Sequence, residues 1–291
     1  YRLQAALLDS APAISSSART LADSLPAQFA ASVLSELMVV PEAAPLALAL
    51  ANAQNERLTG NLSQQDSAGL ATTLRYVRAW GGVLDAATLE GLRPGDRAQL
   101  ALIGVLPRET ALAEARMLLD RQPAVLSPFL PMLAAARDTQ SIARIAVALD
   151  SIDRSAATSG RPTTSGDYAR AMDALARGDS VAALRGMLRL SMSGCNDAPC
   201  GGFTLAQLLA RAGRDADAAK VLDRWMPSGA RALIGPGAML LRAQIAERLG
   251  DGAGAQLWYQ RVLARWGAGG AEVQSLLSLA REGAKRTARK G

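Results

Sequence analysis

Cys195 and Cys200 are the only thiols in the chain, separated by four residues in the turn-forming run SGCNDAPCGG at 193–202. A zinc site needs about four nitrogen or sulfur ligands, and two cysteines in a chain without histidine cannot close one alone. A thioredoxin-type motif has two residues between its cysteines and sits beside a βαβ unit, and neither condition holds here. Free thiols or a disulfide remain. Asn196, Asp197, Ala198 and Pro199 can turn the chain tightly enough to bring the sulfurs together. A loop this small is worth about 2 kcal/mol of chain entropy. A Cys195–Cys200 bond is therefore expected, and with it an oxidising compartment.

The absence of histidine removes the commonest general base and every Ser-His or Cys-His nucleophile pair. The glycine-rich runs LIGPGAM and WGAGGAE lack the Gly-Lys-Ser/Thr ending of a phosphate loop and read as turns. Acidic pairs such as Asp215 with Asp217 stand at helix starts, where carboxylates complement the dipole rather than move protons. Asn61-Leu62-Ser63 fits a glycan acceptor pattern that arises often by chance. No catalytic residue, cofactor site or metal site is expected, and the chain reads as a non-enzyme.

The elements that position these residues follow from composition. Hydrophobic residues make up 49% of the 291 positions but aromatics only 4%, so the core must be built from Ala, Leu, Val and Met. These favour close-packed helices, while the residues strands prefer are scarce. The net charge of +6 comes almost wholly from arginine, the lysines being Lys220, Lys285 and Lys290. Its one cluster, Arg281, Lys285, Arg286, Arg289 and Lys290, reads as a helix end, so no nucleic-acid partner is expected. The most apolar stretch, residues 37–53, is broken by Pro41, Glu42 and Pro45 and is too short to span a bilayer. A chain opening on Tyr1 with no leader pattern reads as a mature form or an excised piece.

An internal repeat lies in the second half. Ala171, Gly178 and Ala183 recur as Ala206, Gly213 and Ala218, then as Ala243, Gly250 and Ala255, the glycines 35 and 37 residues apart. Before and after each glycine runs an amphipathic face at the i, i+3, i+4, i+7 spacing. The pattern predicts a helix, a tight turn and a helix. Glycine can enter the left-handed conformation that closes the first helix, and Asp179 or Asp251 can start the second. Alanine on both helices lets the backbones approach, so a large side chain at Ala206 or Ala218 would cost about 1 to 3 kcal/mol.

This arrangement resembles the tetratricopeptide repeat, an antiparallel helix pair of about 34 residues. The resemblance covers residues 163–270, with Ala243, Gly250, Asp251, Ala255 and Tyr259 at its small, Gly, Asp, small and aromatic positions. The family's tryptophan in the first helix and proline after the second are missing. FTLAQLLARAGRDADAAKVLDRW and GDGAGAQLWYQRVLARWGAGGAEVQSLLSLAREGAKR also resemble the repeat segment of some bacterial serine/threonine kinases and related signalling proteins, without any kinase motif. The resemblance implies an α-solenoid of antiparallel helix pairs, closed by a capping helix over 271–287. It also implies a concave face, lined by Tyr168, Met172, Phe203, Gln207, Arg211, Leu240, Gln244 and Arg248, that would hold a protein or peptide partner.

The first half reads as short amphipathic helices separated by Pro, Gly, Asp and Ser, and degenerate hairpins continuing the solenoid are expected there. The polar stretch 153–166 suggests a division into 1–155 and 156–291, the latter holding three repeats and the cap. The expected function is a non-catalytic interaction scaffold, the extracytoplasmic sensory or scaffolding part of a bacterial signalling or envelope protein. The alternative is a cytoplasmic module of a transcriptional regulator that binds an effector or mediates oligomerisation.

Overall fold

Alanine and leucine dominate the sequence, and helices dominate the fold. The structure, a computed structural model, describes residues 20, 27–57, 64–158, 164–192, 201–229 and 232–289; Cys195 and Cys200 lie outside them. Among the described residues there is no strand. The helices are α1 (Ala27–Leu37), α2 (Ala44–Arg57), α3 (Gln64–Trp80), α4 (Ala86–Glu90), α5 (Pro94–Leu102), α6 (Arg108–Leu119), α7 (Leu130–Ala135) and α8 (Thr139–Thr158). They continue as α9 (Ser165–Ala176), α10 (Ser180–Met192), α11 (Gly201–Arg211), α12 (Asp215–Gly229), α13 (Gly235–Arg248), α14 (Gly252–Trp266) and α15 (Gln274–Ala288). Short 3-10 turns cover Pro41–Ala43, Pro123–Phe129 and Ala271–Val273. Among the described residues no helix is long and apolar enough to cross a membrane.

The three predicted hairpins are α9–α10, α11–α12 and α13–α14, and each turns on its glycine. Gly178, Gly213 and Gly250 have φ of 86°, 72° and 78°. The residue after each donates its N–H to the carbonyl five back, Asp179 to Ala174, Arg214 to Leu209 and Asp251 to Ala246, all at 2.9 Å. This bond and the one from the glycine itself to the carbonyl three back make the helix end that satisfies otherwise unpaired carbonyls. Asp179 and Asp251 then cap the next helix, accepting at 2.8 Å from the N–H groups of Ala182 and Gly254.

Gly82 and Gly104 end α3 and α5 with the same pair of bonds, and so does Arg137 between α7 and α8, at φ 57°. Asp138 follows Arg137 as Asp179 follows Gly178, and it caps Ser141 N–H at 3.1 Å. The α7–α8 turn is thus the repeat turn with arginine in place of glycine.

Contacts divide the chain into two units, one of residues 1–92 with 230–291 and one of residues 93–229. This grouping differs from the expected division at 155. In the unit of residues 93–229 α8 and α9 pack along each other, and Asp153 near the end of α8 accepts from the N–H groups of Ser165 and Gly166, at 3.2 and 2.8 Å, at the start of α9. A polar stretch marks a change of direction but does not by itself end the packing. α9 also packs on α7, while α5 and α6 surround the 3-10 turn that carries the buried Leu126 and Phe129.

The other unit joins distant parts of the sequence. α14 packs on α13, α15, α2 and the Pro41–Ala43 turn. At its centre the Trp80 carbonyl accepts from Arg265 Nε at 3.0 Å and from Trp266 Nε1 at 2.8 Å. Arg265 is 1% exposed, stacks 4.5 Å from the centroid of the Trp80 ring, and reaches the Ala232 carbonyl at 2.8 Å through Nη2. Burial pushes its guanidinium down to about 9. The cation is held by ring and carbonyls, so truncation removes the stacking on Trp80 and takes this donor from the Ala232 carbonyl, while the Trp80 carbonyl keeps Trp266 Nε1.

Two outcomes test this architecture. A Cβ on Gly178 would meet nothing within 4 Å, so Gly178→Ala costs only backbone strain, about 1 kcal/mol, while Arg137→Gly relieves the same strain and gains about 0.5 to 1 kcal/mol. Urea unfolding should show the opposite signs. Arg265→Ala should lower stability by about 3 kcal/mol or more, read from the same curves.

Candidate functional site

The eight residues expected on a shared binding face divide by depth. Tyr168, Met172, Phe203 and Leu240 are buried, Gln207 and Gln244 half-buried, and Arg211 and Arg248 exposed. The four apolar members belong to the interior and offer no free surface, which corrects that part of the expectation. The cause is helical geometry. A stripe taken every fourth residue drifts about 40° per step, because 3.6 residues make a turn. Phe203, Gln207 and Arg211 therefore run from core to solvent along α11, as Leu240, Gln244 and Arg248 do along α13. The α11 and α13 sets lie in different units, each with its own exposed arginine.

A groove of about 510 Å³ opens between α9 and α10, with Thr164, Asp167, Arg170 and Arg189 at its edges and Ala171, Ala174, Ala182, Gly186 and Leu190 within. Small residues let the two helices approach closely here: a Cβ on Gly186 would come to 3.0 Å from that of Ala171. Arg170 Nη1 donates to both carboxylate oxygens of Asp150 at 2.9 Å, and Nη2 donates to Asp167 Oδ1 at 2.8 Å. The hydrogen bonds to Asp167, then to Asp150, raise its pKa further above the ordinary arginine value. Its position is fixed and its charge balanced. Arg189 is exposed and has no ion-pair partner among the described residues. Such a groove can grip a carboxylate or a planar group; it holds no set of residues arranged to transfer protons.

A second cavity, about 540 Å³, lies at the α13–α14 turn against the end of α15, lined by Glu247, Gly250, Gly252, Ala253, Gln256, Thr287 and Ala288. Its polar groups are already paired. Tyr259 donates to Glu247 Oε2 at 2.5 Å, Arg286 Nη2 donates to the same oxygen at 3.0 Å, and Thr287 donates to Gln256 Oε1 at 2.5 Å. Gly283 of α15 lies flat on the Tyr259 ring, where a Cβ would come within 2.2 Å of Cζ. This cluster fastens the last helix, and the α9–α10 groove is the better candidate for a site. Among the described residues no group of three or more His, Cys, Asp or Glu could hold a metal ion.

The pairing has a readable consequence. Burial, with help from Glu247, raises the Tyr259 phenol above its ordinary value near 10. A raised folded-state pKa gives stability that is fully present below pH 10 and lost as pH rises above it. Tyr259→Phe should therefore cost about 1 to 2 kcal/mol at neutral pH, a gap that narrows in alkali. It should leave the 295 nm tyrosinate titration of the folded protein unchanged between pH 9 and 11.

Neither the known protein-family models, nor the curated proteins, nor the solved structures contain a match to this chain.

Proposed function

We propose that the chain is a tetratricopeptide-like helical repeat scaffold that binds a segment of another protein and performs no covalent chemistry. The observation that carries this reading is the recurrence of one hairpin design, a left-handed residue with its five-back hydrogen bond, at Arg137, Gly178, Gly213 and Gly250. Stacked pairs of this kind need each new helix to touch both helices of the pair before it. α9 meets α7 and α8, and α15 meets α13 and α14, which supports stacking at those two places, while α11 packs chiefly on α10 and α12. The Tyr259–Glu247–Arg286 cluster suits α15 to the part of a capping helix.

Placement in the extracytoplasmic part of a bacterial signalling or envelope protein follows from the kinase-associated resemblance and from the expected Cys195–Cys200 bond. Non-reducing thiol titration of denatured protein checks the bond: no reactive thiol is expected, and two would remove the argument for an oxidising compartment.

Panning a random peptide display library on the immobilised full chain tests the binding reading. A family of related peptides is expected to enrich; a library that yields nothing above bare support overturns it. Arg211→Glu combined with Arg248→Glu, both at exposed positions, should weaken enriched peptides several-fold with an unchanged Tm if the solvent ends of α11 and α13 carry contact. Unchanged affinity would remove those two arginines from the site.

A further inference from the structure

We draw no further inference here: the strongest candidate, the α9–α10 groove edged by Thr164, Asp167, Arg170 and Arg189, belongs to the site already described, its Arg170 is held by Asp150 and Asp167, and nothing in the structure shows what occupies it.

Discussion

Each hairpin of the repeat turns on one residue held at positive φ, and the placement of every side chain in that hairpin follows from it. With the left-handed residue fixed, the two flanking hydrogen bonds set where the first helix ends, and the next residue sets where the second begins. The phase between the helices is then fixed. Ala171 meets Gly186 and Gly202 meets Trp225 because the turn leaves no freedom to slip. A residue with a Cβ pays for that backbone conformation, and the chain accepts this at Arg137 while leaving the following Asp138 to cap α8. The turn is therefore a property of backbone hydrogen bonding, for which glycine is the easiest but not the only residue.

A second constraint acts on the unit that joins residues 1–92 to 230–291. Short-range turns cannot hold helices that lie some 185 residues apart in sequence; something must reward the closure of so long a loop. The Trp80 carbonyl, with Arg265 and Trp266 both donating to it, is placed at the C-terminal end of α3, where carbonyls lack partners in their own helix. Gly82 opens the approach: a Cβ there would lie 3.1 Å from the Trp266 ring. Burying a guanidinium is costly, and the ring face and two carbonyls offset that cost. The closure thus depends on aromatic residues that composition makes rare.

These two constraints explain what could be read in advance. The all-α class and the hairpins α9–α10, α11–α12 and α13–α14 follow from local signals, since alanine spacing, a terminal glycine and a following aspartate all act within one turn. The α7–α8 turn was hidden because its left-handed residue is an arginine. The grouping of α1–α4 with α13–α15 was hidden because no local pattern in Trp80 or Arg265 announces the other. For the candidate site, Arg211 and Arg248 are exposed, while Tyr168 and Phe203 are buried, because a stripe of every fourth residue drifts round the helix from core to solvent. The close approach of α9 and α10 at Ala171 and Gly186 could be read only as two small residues, because which positions face each other depends on the phase of the two helices.

That last point bears on how a repeat of this kind packs. The turn sets where the two helices end and begin, and the side chains between them then set how closely they approach. Position 186 is glycine, 221 valine and 258 tryptophan; the arginines at 170 and 189 recur at 242 and 261, while the middle hairpin has Leu205 and Arg224. Where the chain supplies the ring, the arginines serve its own packing, and Glu42 completes their electrostatics. Where it supplies glycine, α9 and α10 close on each other at Ala171, and Arg170 is taken up by Asp150 and Asp167 instead of a ring. One position thus serves two kinds of packing, close backbone approach in α9–α10 and ring burial in α13–α14, and the same glycine turn accommodates both because it fixes where the helices begin and end, not how far apart they lie.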